Sequence, residues 1–149
     1  MKSKVNEIKI SYREKSGILR SKSLSGSFST AKLLYENWDK DTIGLHESFK
    51  VLLLNNSNKV KGSYNLSMGG ITGTLVDMRI LFAIILKSLS TGIILAHNHP
   101  SGTLKPSIPD REITAKIARA SELFNIKLLD HLIITPDGSY YSFADEGLI

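Results

Sequence analysis

An apolar run at positions 93–96 ends directly in the polar sequence His-Asn-His-Pro at positions 97–100. Such an uninterrupted apolar run is typical of a strand that is buried on both faces of a sheet. The proline lacks a backbone N–H donor, so the strand is expected to end there, where a polar loop begins. Together with the hairpins and helices described below, this strand predicts an α/β (α+β) fold in which a mixed β-sheet is flanked by helices.

Two hairpins are predicted to supply further strands of this sheet. Apolar residues alternate over positions 49–53, positions 60–66 are predicted to continue as a strand, and the intervening Asn-Asn-Ser-Asn sequence favours a turn. A second pair of apolar segments, at positions 128–134 and 140–143, is separated by Pro-Asp-Gly and predicts a closing hairpin.

Two helices are predicted between these hairpins. Asp77 is placed to cap the first, after a Gly-rich connection at positions 68–74, and the second extends over about positions 107–124. Their predicted core-facing residues are Ile80, Leu81, Ile84, Ile85, Leu86, Ile113, Ile117, Ala120 and Phe124.

The N-terminal part of the chain is predicted to form a strand, a loop and one helix. Apolar residues alternate within the first dozen positions, and positions 16–29 are rich in Ser, Gly and Lys. Either Ser29 or Thr30 can cap the helix that follows. We expect residues 1–45 to be an N-terminal extension that packs on the same domain as residues 46–149.

The composition limits the possible chemistry. The 149 residues include no cysteine, which excludes disulfides, thiolate zinc clusters and cysteine nucleophiles and leaves His, Asp and Glu as metal ligands. The net charge is +5, but the N-terminal basic residues are interrupted by acidic ones, which favours a solvated surface over a nucleic-acid groove. With no secretory signal and no apolar stretch near the ~20 residues of a membrane span, we expect a cytoplasmic protein without membrane contact.

His97 and His99 are the strongest candidates for metal ligands. Residues two apart in a strand project from the same face, so both imidazoles can approach one point at the strand end. A catalytic zinc ion needs about three protein ligands and an open position. Asp110 is the best third candidate, because it lies in the first turn of the next predicted helix, after a loop long enough to return to the strand end. These residues together predict a Zn²⁺ site.

Several alternatives remain open at this point. Ser107 and Asp110 also fit a helix capping box, which is a common structural motif. The general base of a metal-dependent hydrolase is a carboxylate in many such sites, and Glu47, Glu112 or Asp130 can each be proposed from composition. The two other histidines are assigned structural positions: His131, beside Asp130, as a hydrogen-bonded residue, and His46 as a surface residue.

A family resemblance adds to this interpretation. Residues 97–102 (HNHPSG) and 106–110 (PSIPD) resemble the signature of the JAMM metalloproteases, also called MPN-plus or JAB, in its bacterial RadC form. The similarity extends through residues 130–133 (DHLI) and residues 47–55, so residues 46–149 resemble a RadC-like JAB/JAMM metal-binding domain. The resemblance implies the mixed sheet of the JAMM/cytidine-deaminase-like fold.

The resemblance also implies roles for five residues. His97, His99 and Asp110 would bind zinc, Glu47 would act as the general base on the water at the metal, and Ser107 would donate a hydrogen bond to the developing oxyanion. The implied activity is that of a zinc metallopeptidase or isopeptidase acting on a peptide or protein substrate.

The N-terminal part differs from full-length RadC proteins, which resemble a helix-hairpin-helix module followed by the metal domain. About 45 residues precede Glu47, too few for that module, so we expect a shorter RadC-like form of the kind found in Bacteroides-type bacteria and mobile elements. A DNA repair or recombination accessory is the alternative function, which salt-dependent DNA binding would favour. A zinc-free binding module is a third alternative, which metal-free purified protein would favour.

Overall fold

The computed structural model describes residues 5–7, 9, 11, 13, 23–69 and 75–149. None of the helices in these ranges is both long enough and apolar enough to cross a membrane. The elements are α1 (Ser27–Glu36), β1 (Ser48–Leu54), β2 (Val60–Met68), α2 (Met78–Lys87), β3 (Gly92–Asn98), α3 (Ile108–Leu123), β4 (Lys127–Ile134) and β5 (Tyr140–Ser142).

The strands form one five-stranded sheet in the order β2-β1-β3-β4-β5. Strand β3 is at its centre, antiparallel to β1 and parallel to β4. Helix α3 makes the crossover between these two parallel strands, and its N-terminus therefore returns to the end of the sheet where β3 stops. The predicted mixed sheet flanked by helices is confirmed.

The residues of β3 alternate between two hydrophobic cores, one on each face of the sheet. Ile93 and Leu95 pack with residues of α2 and α3, whereas Ile94 and Ala96 pack with residues of α1. All seven residues of β3 are buried. The same alternation places His97 and the following His99 on the α2–α3 face and Asn98 on the α1 face.

Both predicted hairpins are present. Strands β1 and β2 pair antiparallel around a turn in which the Asn55 side chain accepts hydrogen bonds from the backbone N–H groups of Ser57 and Lys59. Strands β4 and β5 pair antiparallel at the C-terminal end. The predicted cap of α2 is also confirmed, because Asp77 accepts a hydrogen bond from the backbone N–H of Arg79.

The predicted start of α1 is wrong. The helix begins at Ser27 after Gly26, and no side chain caps it. Ser29 and Thr30 lie inside the first turns, and their hydroxyls donate to the Gly26 carbonyl instead. The predicted loop therefore ends before Ser27; its residues 16–22 lie outside the described residues, as do Ile8, Ile10 and Tyr12 of the predicted strand and residues 70–74 of the Gly-rich connection.

Some of the predicted core-facing residues of the helices are exposed. Ile80 and Leu86 of α2 are 45% and 41% exposed, whereas Phe82 is buried. The cause is that α2 is apolar on nearly every side, so its pattern does not select the face that contacts the sheet. Phe124 lies just beyond the end of α3, is 49% exposed, and packs against the Phe82 ring.

Candidate metal centre

Three predicted ligands come together where β3 ends and α3 begins. The Nε2 atoms of His97 and His99 are 3.0 Å apart. Asp110, in the first turn of α3, places Oδ1 3.3 Å from His97 Nε2 and Oδ2 3.4 Å from His99 Nε2. Ligand atoms of all three lie within 4.8 Å of one another, and both histidines are buried. This cluster can hold a metal ion.

The hydrogen bond at the far side of His99 determines which of its nitrogens faces the cluster as an acceptor. Nδ1 of His99 is 2.7 Å from the backbone carbonyl of Thr103, so it must be the protonated nitrogen of the neutral ring. Nε2 then carries a lone pair that points at His97 and Asp110. A buried lone pair in this position requires a proton or a metal cation.

Asp110 serves the helix terminus and the cluster at the same time. Its Oδ2 accepts a hydrogen bond of 2.7 Å from the backbone N–H of Ser107, and its own N–H donates to Ser107 Oγ at 3.1 Å. The predicted capping box is thus present. Burial by itself would raise the pKa of Asp110, but hydrogen bonds from the imidazoles of His97 and His99 in their protonated form outweigh burial and hold that pKa well below its ordinary range.

Glu47 immediately precedes β1, on the face of the sheet that carries the histidines. Phe49 pairs with His97 across the two strands and their rings stack, and extending this register by two residues would place Glu47 on the same face, opposite His99. Burial lowers the pKa of His99, but the carboxylates of Asp110 and Glu47 and the Thr103 carbonyl raise it above its ordinary value. The charge of Glu47 therefore reaches the cluster.

Asn98 anchors the segment that carries Glu47. Its side chain donates to the backbone carbonyls of Ile43 and His46, at 2.7 and 2.9 Å, and accepts from the backbone N–H of Ser48 at 2.7 Å. Asn98 is fully buried on the α1 face, so its bonds to Ile43 and Ser48 are shielded from water. The residue between the two histidines thus joins their strand to the start of β1.

The other acidic candidates lie elsewhere. Glu112 is exposed, and two residues along a helix correspond to a rotation of about 200°, which turns it away from Asp110. Asp130 is buried on the α1 face, where it is bonded to Ser142 and Ala144. His46, predicted to be a surface residue, is half-buried.

His131 is more closely involved than the sequence predicted. It is fully buried in β4, and its Nε2 is 2.8 Å from Nδ1 of His97. Its Nδ1 is 2.6 Å from the hydroxyl of Thr114, a buried residue of α3. One signal was available in the sequence: a histidine inside an apolar strand must find a buried hydrogen-bond partner.

The chain is similar to known proteins over most of its length. A family model for the RadC-like JAB domain matches residues 25–148. A UPF0758 protein of Flavobacterium johnsoniae is 57% identical over 103 residues, which make up 69% of this chain and 44% of that protein. A UPF0758 protein of Porphyromonas gingivalis is 48% identical over 103 residues, covering 69% of this chain and 45% of that protein. The chain thus spans less than half the length of either relative.

Proposed function

Because the chain belongs to the RadC-like JAB domain family, we propose that it is a zinc-dependent hydrolase of the JAMM type that cleaves an amide or isopeptide bond in a peptide or protein substrate. The observation that carries the proposal is the convergence of two imidazole nitrogens and one carboxylate on a single point. In this proposal His97, His99 and Asp110 hold the metal, and Glu47 and Ser107 act on the reacting groups.

The donor set and its dimensions suit zinc. Two neutral imidazoles and one carboxylate are a common ligand set of catalytic zinc sites, which leave a fourth position open. With bonds of about 2.0–2.1 Å, the edges of a tetrahedral zinc site measure roughly 3.3–3.4 Å. The contacts of 3.0, 3.3 and 3.4 Å among the three side chains are close to these edges.

When bound, zinc supplies Lewis acidity that polarises a carbonyl oxygen and lowers the pKa of a water molecule. Glu47, whose charge acts on His99, accepts the proton that the attacking water loses and then returns it to the leaving amine. A carboxylate on this face, close to the metal ligands yet not among them, is suited to move that proton. Glu47 is held in place because Asn98 fixes the residues on either side of it.

Ser107 is suited to stabilise the negative charge that develops on the substrate oxygen. Its Oγ accepts the hydrogen bond from the Asp110 N–H, so its hydroxyl proton remains available to a further acceptor. It is exposed at the N-terminus of α3, a position whose dipole also favours negative charge. Substrate can therefore approach both Ser107 and the ligand carboxylate of Asp110.

The decisive variant is Glu47→Gln, with Glu112→Gln as a matched control on the exposed side of α3. Metal content is measured by elemental analysis, and hydrolysis is measured on a panel of peptides and isopeptide-linked lysines. We expect about one zinc ion per chain in the wild type and in both variants. Hydrolysis should fall by at least ~100-fold in Glu47→Gln, which lacks the base, and remain unchanged in Glu112→Gln.

Two results would contradict the proposal in different ways. Wild-type activity retained by Glu47→Gln would exclude the assigned base. Protein that is purified without chelator and takes up no zinc on titration would exclude the metal-dependent mechanism itself.

A further inference from the structure

A chain of three short contacts connects two of the proposed metal ligands behind the site. It begins at Nδ1 of His97, 2.8 Å from Nε2 of His131, and continues from Nδ1 of His131 to the Thr114 hydroxyl at 2.6 Å. It ends where that hydroxyl donates to the backbone carbonyl of Asp110, also at 2.6 Å. This series of contacts crosses from β3 to β4 to α3, and the side chains of His97, His131 and Thr114 that form it are buried.

The position of each proton follows from the last contact. The carbonyl of Asp110 can only accept, so the single hydroxyl proton of Thr114 is committed to it. The Thr114 oxygen must then accept from Nδ1–H of His131. A neutral His131 has its lone pair on Nε2, which must accept from Nδ1–H of His97. The lone pair of His97 is thereby left on Nε2, facing His99.

The surroundings of His131 keep it neutral. Its side chain is fully buried in β4, and a charged imidazolium there would lose its contact with water. The rings of Phe49 and Phe143 lie against it, with centroids at 5.3 and 4.7 Å. A charged imidazolium would have to displace these apolar contacts.

We propose that His131 and Thr114 are positioning residues that hold His97 in the tautomer whose Nε2 lone pair points at the centre of the cluster. The inference that this arrangement serves metal binding rests on the proposed function. The tautomer itself is a property of the metal-free protein. Because the same series of hydrogen bonds ends on the backbone carbonyl of Asp110, it also sets the spacing between Asp110 and His97.

A packing role is the competing explanation, and it makes a different prediction. If His131 only filled space between two phenylalanines, an apolar residue of similar size would replace it without effect on the cluster. If it accepts the proton of His97, a residue that keeps an acceptor near the same position should preserve the cluster. His131→Leu and His131→Gln separate the two, since the glutamine side-chain oxygen can reach the position of Nε2.

The first measurement is the tautomer in metal-free protein. Long-range ¹H–¹⁵N correlation spectra of histidine-labelled protein in EDTA at neutral pH should show His97 and His131 protonated on Nδ1 and unprotonated on Nε2. The reverse tautomer of His97 would overturn the inference whether or not the protein binds zinc. Absence of zinc binding, in contrast, would contradict only the proposed function.

The second measurement is affinity for Zn²⁺ and Co²⁺, determined by competition with a chelator. Loss of a hydrogen-bond partner behind a metal-bound histidine typically lowers affinity by about 10–100-fold, and we expect this loss in His131→Leu. His131→Gln should recover most of it. Thr114→Val should show a smaller loss, and Thr114→Ser none.

Thr30→Val is the matched control, because Thr30 is an equally buried threonine on the α1 face, bonded to the Gly26 carbonyl. It should leave affinity unchanged, and the Co²⁺ absorption spectrum should change only in the His131 and Thr114 variants. Wild-type affinity in both His131→Leu and Thr114→Val would overturn the inference. If His131→Leu fails to fold, the Thr114 pair and the tautomer measurement still decide it.

Discussion

Asp130 and His131 are neighbours in β4, and each belongs to a buried polar network on a different face of the sheet. The carboxylate of Asp130 accepts from the backbone N–H of His131, the Ser142 hydroxyl and the Ala144 N–H, at 2.7, 2.6 and 3.0 Å. Every partner is a donor, so this network is complete within the chain. It joins β4 to β5 and the residues after it.

The network on the His131 face is incomplete in a specific way. Its hydrogen bonds run outward to Thr103 and Thr114 and leave the lone pairs of His97 and His99 pointing at each other and at Asp110. Acceptors that converge without a donor are costly in a buried site unless a cation joins them. The difference separates a polar cluster that stabilises the fold from one that is suited to bind a ligand.

The largest expected effect is on metal binding, in His99→Ala. Two ligands remain, so affinity for Zn²⁺ should fall by more than the roughly 10–100-fold cost of losing an outer partner. In the wild type, free zinc at 100 times its dissociation constant should raise the free energy of unfolding by about 2.7 kcal/mol. Chemical unfolding with and without zinc measures both effects. Asp130→Asn is the control, and its gain in unfolding free energy on adding zinc should equal that of the wild type. A different gain would contradict the claim that only the network containing His131 serves metal binding.

The next effect is on stability, in Asp130→Ala. Removing the carboxylate leaves two buried donors and one part-buried donor without an acceptor, and we expect a loss of about 3 kcal/mol in the free energy of unfolding. The loss should be the same with and without EDTA. Asp137→Ala is the matched control: Asp137 also accepts from a hydroxyl and a backbone N–H, but it is exposed, so water replaces it and the loss should be clearly smaller. Equal losses would contradict the assignment of Asp130 to a buried structural network.

The smallest effect is a dependence on pH. Burial raises the pKa of Asp130 above its ordinary value of 3.8, and its hydrogen bonds offset burial only in part. The folded state then holds the Asp130 proton more tightly than the unfolded state does, so this contribution to stability is full below 3.8 and is lost as pH rises through the folded pKa. As pH rises over that window, the wild type should therefore lose unfolding free energy relative to the non-titrating Asp130→Asn variant, with both proteins measured in EDTA. A wild type that instead gains unfolding free energy relative to Asp130→Asn as pH rises would contradict the raised pKa of Asp130.

The elements that were predicted correctly depend on local pattern. The hairpins, the caps at Asp77 and Ser107 and the buried central strand each follow from residues that are adjacent or a few positions apart. The face of α2 was only partly predicted, because nearly every position is apolar and the contact with the sheet selects among them. The beginning of α1 was missed because Gly26 precedes it without a side-chain cap.

In the candidate site, too, local pattern predicted some residues, whereas others depend on contacts between distant segments. His97 and His99 follow from strand geometry, and Asp110 follows from its place in the first turn of the next helix. The partnership of His97 with His131 joins residues 34 positions apart, and it depends on the parallel pairing of β3 with β4. No spacing rule within one segment predicts such a contact. The position of Glu47 likewise depends on the register between β1 and β3.

The bonds made by Asn98 have a consequence for motion. They tie residues 43–48 to the strand that carries the histidines, inside a core covered by α1. A local opening that carried Glu47 away would have to break these bonds, so the proposed base and the ligands belong to one cooperative unfolding unit. Backbone amides around Glu47 should exchange with solvent nearly as slowly as those of β3. The geometry of the candidate site should then persist for as long as the sheet stays folded.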